Sequence, residues 1–411
     1  MSSSLPSLAA ADWLASAAVR KIFAVLQDGD ESARVVGGAV RNALMGVPVA
    51  DIDFATTLLP EAVMARAEAA SVKAVPTGIA HGTVTLVAGG RGFEVTTLRE
   101  DIATDGRHAV VRFGRDWTAD ARRRDFTVNA LSVDAGGTVY DPVGGDADIV
   151  ARRIRFIGDA DARIAEDRLR ILRLFRFQAE YGAGPIDVAG VAAAMRARNG
   201  VRELSGERIG REMRRLMVAP RAAETTTMMQ ESGILPIVLG GIGYLAPFTR
   251  LAAFDDAFAA PWSRLAVLAC RVEEDGLRVA QRLRLSNAER DGVLATVAAA
   301  SSFAPLPDGP AARRALYRHG PEVYRAAVAH AFAWSGAEPD DPAWRDLASL
   351  PDRWTAPTFP LGGRDIVRAG LAGPAVGEML RAVEAWWIDQ DFAPDEARLR
   401  AWLQQMMASA Q

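Results

Sequence analysis

The segment at residues 34–56, RVVGGAVRNALMGVPVADIDFAT, constrains the fold more than any other part of this chain. It runs an apolar strand into two adjacent glycines and then reaches a second strand. Side chains two residues apart in a strand point to the same face of the sheet. Asp51 and Asp53 are therefore predicted to project side by side, while Ile52 and Phe54 point to the opposite, core-facing side.

The polar residues of this segment predict a site for a divalent metal and a phosphate group. Two adjacent carboxylates repel each other unless a cation lies between them, and oxygen ligands of this kind suit Mg²⁺. Gly37 and Gly38 let the backbone approach a phosphate, and Arg41 follows one helical turn on, where it can hold that group. A diphosphate grip beside the metal-binding, catalytic pair Asp51 and Asp53 indicates nucleotidyl transfer, in which a hydroxyl attacks an α-phosphorus and pyrophosphate leaves.

Each half of this pattern, the glycine pair with an arginine and the Asp-x-Asp, occurs a second time in the chain without the other half. Asp-x-Asp recurs at Asp389 and Asp391, and a glycine pair followed by an arginine recurs at residues 362–365. Neither has the other half at the right distance, and Asp389 follows a Trp-rich helical run instead of a strand. We predict that both are inter-helix loops, because an isolated Gly-Gly or Asp-x-Asp is usually a turn or a solvated surface.

Composition excludes several classes of protein. At 411 residues, half of them apolar, the chain is long enough for two to four domains with their own cores. No run approaches the roughly eighteen apolar residues of a membrane span, and the first residues lack the features of a secretory signal. Cys270 is the only cysteine, which excludes an internal disulfide and a cysteine-based zinc cluster. We therefore expect a cytoplasmic protein that makes no membrane contact.

Charge is unevenly distributed along the chain. The formal net charge is −3, but residues 151–220 contain fifteen arginines against nine aspartates and glutamates. A basic middle in an acidic protein is typical of a surface that binds a polyanion, whereas arginine-rich helices are also often solvated surface. Charge alone leaves both interpretations open.

The periodicity of the sequence divides the chain into a mixed first part and a helical remainder. Helical spacing occupies residues 10–28, and from Ala160 onward helical periodicity dominates to the end. Glu94 lies on the last β-type run. Two predictions for it stay open: a third acidic group near Asp51 and Asp53, or a residue on the surface. The predicted strands, separated by Gly-rich turns, are at residues 34–37, 51–56, 83–88 and 93–98.

A second cluster, at residues 122–131, joins three arginines to the amphipathic stretch DFTVNAL. Arg124 is positioned to neutralise triphosphate charge, and Asp125 to hold an arginine or a ribose. Asn129, one turn beyond Asp125, is a candidate partner for a sugar hydroxyl. Alone, this stretch would be a helix with a basic start, so its interpretation depends on the first segment.

A third cluster, at residues 166–177, has the sequence EDRLRILRLFRF. Asp167, Arg170, Arg173 and Arg176 recur at three-residue steps and are predicted to line one side of a helix. One interpretation is a row of salt links on an exposed face. The other is a nucleotide site in which Arg173 and Arg176 hold phosphates.

The pair Asp167 and Arg170 also predicts a base preference. Cytosine and adenine each present an amino donor beside a ring-nitrogen acceptor on the Watson–Crick edge, which an acceptor from Asp167 and a donor from Arg170 complement. Uracil and guanine present a carbonyl and a ring N–H instead. Each such mismatch costs roughly 1–3 kcal/mol.

Taken in this order, the first segment and the two clusters closely resemble motifs of the class II nucleotidyltransferase superfamily of tRNA CCA-adding enzymes and bacterial poly(A) polymerases. The resemblance is strong from about residue 33 to about residue 216 and weak beyond. The matching motifs are Gly37-Gly38-x-x-Arg41 with Asp51-x-Asp53, Arg123-Arg124-Asp125-Phe126-Thr127-x-Asn129-Ala130-Leu131, residues 141–158, Glu166-Asp167-x-x-Arg170-x-x-Arg173, and Ser205-x-Glu207-Arg208-Ile209-x-x-Glu212.

The resemblance implies an α+β fold and a set of roles. A nucleotidyltransferase head with a short mixed β-sheet and helices would occupy residues 1–158. A helical neck with the nucleotide-templating helix would follow at 159–220, and an all-helical, tRNA-binding body and tail at 221–411. Asp51 and Asp53 would carry Mg²⁺. The residues expected to hold the incoming CTP or ATP are Gly37, Gly38, Arg41, Arg124, Asp125, Asn129, Asp167, Arg170, Arg173 and Arg176.

The chain departs from the family pattern at one position of the first motif. The family usually has Asp after the motif's arginine, whereas this chain has Asn42. Asparagine still accepts hydrogen bonds from Arg41 but has no charge. Loss of that charge leaves the orientation of Arg41 less firmly set than the family pattern implies.

Two further segments favour one activity within the superfamily. Residues 77–84, TGIAHGTV, look like the CCA-adding version of that strand, and residues 98–117 resemble the flexible loop of full CCA-adding and A-adding enzymes. We predict a template-independent enzyme that extends a tRNA 3′ end with C, C and A from CTP and ATP. The alternatives are an A-adding enzyme or poly(A) polymerase and, more remotely, a non-catalytic RNA-binding relative. The sequence contains no signal for oligomeric state.

Overall fold

The computed structural model describes residues 5–27, 29–105, 108–254 and 260–409. The chain forms two compact units, Met1–Gly241 and Ile242–Gln411. Among the described residues, every strand lies in the first unit and the second unit is helical. The predicted α+β class, with a mixed sheet in the N-terminal part and helices after it, is confirmed. The finer boundaries after residues 158 and 220 stay predictions.

The first unit combines nine strands with twelve helices among its described residues. The strands are β1 (Ala33–Val36), β2 (Asp53–Thr56), β3 (Lys73–Gly78), β4 (Thr83–Ala88), β5 (Arg91–Thr97), β6 (Arg99–Asp105), β7 (His108–Phe113), β8 (Ser132–Val133) and β9 (Val139–Tyr140). The helices are α1 (Asp12–Ala15), α2 (Ala17–Leu26), α3 (Gly38–Met45), α4 (Pro60–Ala69), α5 (Trp117–Arg122), α6 (Asp146–Ala151), α7 (Ala160–Glu166), α8 (Leu169–Tyr181), α9 (Val188–Ala197), α10 (Gly206–Met217), α11 (Ala222–Glu231) and α12 (Leu235–Leu239).

Seven of the strands form one mixed sheet in the order β3-β4-β5-β2-β1-β8-β9. Strands β2 and β5 are parallel, and the other neighbouring strands are antiparallel. The register places Val36 opposite Asp53 and Val35 opposite Phe54. Because directly paired residues share a face of the sheet, one face carries Asp53 and the other carries Phe54.

The face that carries Phe54 packs against α2 through aromatic rings. Phe54 is fully buried. Its ring centroid lies 5.0 Å from that of Phe23 in α2 and 6.1 Å from that of Phe93 in β5, both edge to face, as aromatic quadrupoles prefer. This packing anchors the strand that carries Asp53 and leaves the opposite face of the sheet for polar residues.

Two expectations for this unit are corrected. Strand β2 begins at Asp53, so Asp51 lies in the connection before it, although exposed Asp51 and Asp53 still alternate with buried Ile52. The segment at residues 98–117 contains the antiparallel hairpin β6–β7 instead of a loop, as a separate two-stranded sheet. Its β-branched and aromatic residues favour strands. Residues 106 and 107 of this segment lie outside the described residues.

The second unit is built from helices. They are α13 (Leu245–Phe254), α14 (Pro261–Ala269), α15 (Glu273–Leu283), α16 (Asn287–Ala300), α17 (Gly309–Ser335), α18 (Pro342–Arg353), α19 (Gly363–Arg368), α20 (Pro374–Asp389) and α21 (Glu396–Ser409). Helix α17 is kinked at Gly320, whose φ is +73°, next to Pro321. None of the helices in the described part of the chain is long and apolar enough to cross a membrane.

The two comparison motifs have structural partners within the second unit. Asp389 is the last residue of α20, and Asp391 accepts hydrogen bonds from Arg313. Residues 362–365 open α19, where the Asp365 carboxylate accepts from the backbone N–H of Gly362 at 2.9 Å. The expectation that the glycine motif is a loop is therefore wrong, because Asp365 caps a helix there.

We predict that Phe54→Ala lowers the free energy of unfolding by about 3–5 kcal/mol, because it leaves a cavity beneath the strand that carries Asp53. Urea denaturation of the full chain, followed by circular dichroism, measures the change. Val150→Ala is the control, since Val150 is 78% exposed and its truncation should change the free energy by less than about 0.5 kcal/mol. Equal effects of the two substitutions would contradict the packing described above.

Candidate active site

The turn between β1 and α3 is made by two glycines with different tasks. Gly37 has φ +69° and ψ −120°, a backbone conformation that is accessible to glycine and strained for other residues. A Cβ atom at Gly37 would lie 3.2 Å from Nη1 of Arg124. Gly38 begins α3, where free backbone N–H groups favour an anion. The turn therefore brings an arginine and a helix N-terminus together.

Arg41 is held in place without a carboxylate partner. Its Nε and Nη2 donate to Oδ1 of Asn42 at 3.1 and 2.7 Å, and its Nη1 donates to Oδ1 of Asn129 at 2.5 Å. The guanidinium lies 3.9 Å from the ring centroid of Tyr181. No carboxylate within the described ranges forms an ion pair with Arg41, and burial lowers its pKa. Asn42 thus orients Arg41 and leaves its positive charge for a ligand.

Asp53 lies among other carboxylates. The pKa of Asp53 is raised to about 6, first by the protein packed around the carboxylate and then by the charges of Glu94 and Asp51, against the opposing charge of Arg124. Glu94 precedes Val95, which pairs with Phe54 across the parallel strands β5 and β2. Glu94 is therefore an acidic neighbour of Asp53 on the same face of the sheet.

This group of carboxylates fits a hard divalent cation. Like charges at short range are unfavourable unless a cation compensates them. Within the part of the chain that the structure describes, no three His, Cys, Asp or Glu side chains lie close enough to hold a metal by themselves. An ion bound by Asp51 and Asp53 would take its remaining ligands from water and a substrate phosphate, as ions of the Mg²⁺ type do.

The arginines that follow α5 are fixed by a buried carboxylate. Asp120 is 3% exposed. Its Oδ1 accepts from Nη2 of Arg123 at 2.7 Å, and its Oδ2 accepts from Nη2 of Arg124 at 3.0 Å. Two guanidinium groups share one carboxylate, so a net positive charge remains.

The second cluster is not a continuous helix, contrary to the expectation for the cluster alone. Helix α5 ends at Arg122, and the next helical turn is the short 3₁₀ segment Thr127–Asn129. Between them Asp125 is buried, and its Oδ1 accepts from Nδ2 of Asn129 at 3.0 Å. Its Oδ2 accepts from Nε of Arg173 at 2.6 Å. Burial opposes ionisation of Asp125, but the Arg173 charge and these hydrogen bonds lower its pKa.

The third cluster is split between a connection and a helix. Helix α8 begins at Leu169, so Asp167 precedes the helix in extended backbone, and the prediction of one continuous row is wrong for Asp167. Its Oδ2 accepts from Nη2 of Arg208 in α10 at 2.7 Å. Arg170 donates to the Glu166 carboxylate and, at 2.9 Å, to the carbonyl of Arg163. Asp167 and Arg170, the predicted base-reading pair, are therefore each held in position by other residues and not by each other.

Arg176 is the most enclosed of these arginines, with 1% of its surface exposed. Its Nε donates to Oε2 of Glu212 at 2.5 Å, and its Nη1 donates to Oε2 of Glu180 at 2.7 Å. Two carboxylates therefore compensate its charge, and the ion pair with Glu212 joins α8 to α10. Its contact with a phosphate stays a prediction.

All twelve predicted site residues line one cavity of about 710 Å³. Eight arginines and four aspartates line it, and this excess of positive charge suits a triphosphate. Their individual roles stay predictions. The cavity also contains side chains that the prediction left out, among them Asn42, Arg123, Phe177, Tyr181, Arg208 and Arg215.

Three of these missed residues had a signal in the sequence. Arg123 and Arg208 belong to motifs of the resemblance, and Asn42 directly follows Arg41 of the first motif. The contact of Arg208 with Asp167 was not indicated by spacing. Tyr181 stacks on Arg41 from the end of α8. Sequence spacing does not reveal a contact between residues so far apart in the chain.

Comparisons with known proteins agree with this geometry. The Poly A polymerase head domain family matches residues 33–155. The mitochondrial CCA tRNA nucleotidyltransferase 1 of Mus musculus is 31% identical over 90% of this chain and 86% of its own length. The CCA-adding enzyme of Geobacillus thermodenitrificans is 35% identical over 90% and 91%. The crystal structure of the Bacillus stearothermophilus CCA-adding enzyme in complex with CTP superposes with a TM-score of 0.77 at 31% identity, covering 95% of this chain and 96% of the other.

We predict that Arg176→Met lowers the free energy of unfolding by about 3–5 kcal/mol, because it leaves buried Glu212 without a cationic partner. The double substitution Arg176→Met with Glu212→Leu should recover most of the loss. Arg196→Met is the matched control, since Arg196 and Asp161 form an exposed pair and its loss should change the free energy by less than about 1 kcal/mol. Urea denaturation measures all three. A double variant as unstable as the single one would show that the pair itself is not the cause.

Proposed function

The chain belongs to the family of CCA-adding tRNA nucleotidyltransferases, and from this premise we propose that it adds C, C and A in turn to the 3′ end of tRNA. CTP and ATP are the nucleotide substrates, and no nucleic-acid template is needed. The observation that carries the proposal is the single cavity that contains both carboxylates, the glycine turn and the Asp167–Arg170 pair. The named relatives that cover most of the chain support the same activity.

The two aspartates are the catalytic metal ligands in this proposal. Mg²⁺ bound by Asp51 and Asp53 would offset charge on the triphosphate and favour ionisation of the attacking RNA hydroxyl. The N-terminus of α3, beginning at Gly38, holds the triphosphate together with Arg41 and Arg124. These donors remain in place as pyrophosphate leaves, because Asn42, Asn129 and Asp120 fix them.

Base selection follows from a fixed acceptor and a fixed donor. Asp167 accepts from the amino group of cytosine or adenine, and Arg170 donates to the neighbouring ring nitrogen. Arg208 and Glu166 hold these two side chains, so the pair presents one pattern to both bases. In this proposal Asp125 and Asn129 contact the sugar of the nucleotide. Arg173 and Arg176 of α8 are proposed to hold phosphates.

The remaining parts of the proposal concern partners and location. The helical second unit is proposed to bind tRNA, and the head, neck and body-tail division stands with it. Cytoplasmic location stays a prediction, because the mouse relative is a mitochondrial enzyme. An A-adding enzyme or poly(A) polymerase is the nearest alternative, and no particular contact in the site favours it.

The activity is tested with tRNA that ends before CCA, incubated with CTP alone, ATP alone, or both nucleotides. We expect addition of two residues from CTP alone and of three from the mixture. No incorporation from CTP would rule out the proposal in favour of an A-adding enzyme. Asp53→Asn should lower the rate by at least about a thousandfold with RNA binding retained. Asp389→Asn, in the chain's second Asp-x-Asp, should not change it.

The base-reading pair makes a separate prediction. Asp167→Ala, Arg170→Ala and the positioning variant Arg208→Ala should each raise incorporation of UTP or GTP relative to CTP, by roughly 5- to 150-fold for a loss of about 1–3 kcal/mol. The KM for CTP should rise much less, because triphosphate contacts remain. Competition assays with paired nucleotides measure the ratio. Arg196→Ala, in the exposed pair with Asp161, is the control, and unchanged selectivity in all three variants would contradict the assignment.

A further inference from the structure

A second cavity lies on the same face of the sheet as Asp53. Its volume is about 510 Å³, and its wall includes Arg34 and Val36 of β1 and Tyr140 of β9. Val36 pairs directly with Asp53, and paired residues share a face. The cavity therefore extends from the active site across β1 towards β9, and Arg124 lines both cavities.

Arg34 is the distinctive chemical group of this cavity. Its guanidinium carbon lies 3.6 Å from the ring centroid of Tyr140 and 4.2 Å from that of Trp117. Over residues 5–27, 29–105, 108–254 and 260–409, no hydrogen bond or ion pair engages its N–H groups. A guanidinium held by ring contacts with its N–H groups free is a preformed fork for two oxygens of a phosphate.

The rings that hold Arg34 are themselves fixed. The Tyr140 hydroxyl donates to Oδ2 of Asp134 at 2.9 Å, and Nε1 of Trp117 donates to Oγ of Ser32 at 3.2 Å. Trp117 also packs against the buried cluster that contains Val36. The orientation of the guanidinium is therefore set before any ligand arrives, which reduces the ordering cost of binding.

The carboxylates near Arg34 have other partners. Asp134 accepts from Tyr140 and interacts with Arg34 only at longer range. Asp120 holds the two arginines of the active site, and Asp141 accepts from the backbone N–H that begins α6, at 2.8 Å. The positive charge of Arg34 therefore remains available to an anion.

We propose that Arg34 binds a phosphate group of the RNA next to its 3′ end. This rests on the proposed function, in which the attacking hydroxyl lies at Asp51 and Asp53. Strand geometry places the Cα atoms of Arg34 and Asp53 about 8 Å apart, which is the scale of one nucleotide step. The predicted triphosphate contacts line the first cavity, and only Arg124 is shared, so Arg34 serves the other substrate.

Pyrophosphate carries the same kind of oxygen atoms and is the other source of a phosphate group here. The aromatic wall of Trp117 and Tyr140 favours a nucleotide of RNA, because bases and sugars pack on rings and pyrophosphate does not. The volume of about 510 Å³ also exceeds what a pyrophosphate needs. The experiment separates the two sources.

The test compares Arg34→Gln and Arg34→Lys with Arg20→Gln. Arg20 is exposed on α2, which packs on the opposite face of the sheet, so its loss removes one charge without touching the cavity. The measurements are the dissociation constant for tRNA ending before CCA without nucleotide, over a series of salt concentrations, and the KM for CTP. Inhibition by added pyrophosphate is measured in parallel.

For Arg34→Gln we expect RNA affinity to fall about tenfold and the slope of log affinity against log salt to decrease by about one, as for loss of one phosphate contact. Arg34→Lys should keep the slope and lose part of the affinity, because it keeps the charge without the planar fork. The KM for CTP and the inhibition by pyrophosphate should match wild type. Thermal unfolding shows that each variant is folded.

Two results would overturn this proposal. One is RNA affinity and salt slope in Arg34→Gln equal to those of Arg20→Gln. The other is a change confined to inhibition by pyrophosphate, which would assign the anion to the leaving group. Failure of the wild-type chain to incorporate C contradicts the proposed function instead. RNA binding is measured without nucleotide and therefore without catalysis, so failure of this proposal can be told apart from failure of the proposed function.

Discussion

The buried Asp125 carboxylate is the interaction on which the site depends. It accepts from Arg173 of α8 at 2.6 Å and from Asn129 at 3.0 Å, and Asn129 in turn accepts from Arg41 of α3. One carboxylate therefore connects three segments that are far apart in the chain. Because a buried charge is costly without partners, removal of any member leaves the others unsatisfied. The positions of these side chains in the cavity are therefore fixed by the free-energy cost of leaving a buried charge without its partners.

The arginines of this unit fall into two groups by how their charge is compensated. Arg176 has two carboxylate partners and is almost inaccessible, so it joins helices. Arg41 is held by amide oxygens and an aromatic ring, and Arg34 by aromatic rings. Amides and rings orient a guanidinium without neutralising it. Asn42 therefore orients Arg41 while leaving the positive charge that the family's usual Asp would offset.

Most of the fold and many of the residues that line the site were predictable from local patterns in the sequence. Alternation across Ile52 and Phe54 predicted which face of β2 is buried, and the motif spacing predicted residues that line one cavity. Partners of opposite charge from distant segments were not predictable: Glu212 for Arg176 and Arg208 for Asp167 depend on how α10 packs. The start of α8 after Asp167 was missed, because three-residue spacing does not show where a helix begins.

The register between β1 and β2 explains why core and site are inseparable here. Side chains alternate strictly along a strand, so a slip of one residue would move Asp53 to the core and Phe54 to solvent. The aromatic packing of Phe54 against Phe23 prevents that slip. The same register places Val36 opposite Asp53 and brings Arg34 onto the same face. The apolar core therefore fixes both the position of the metal-binding carboxylates and the distance from them to the free guanidinium.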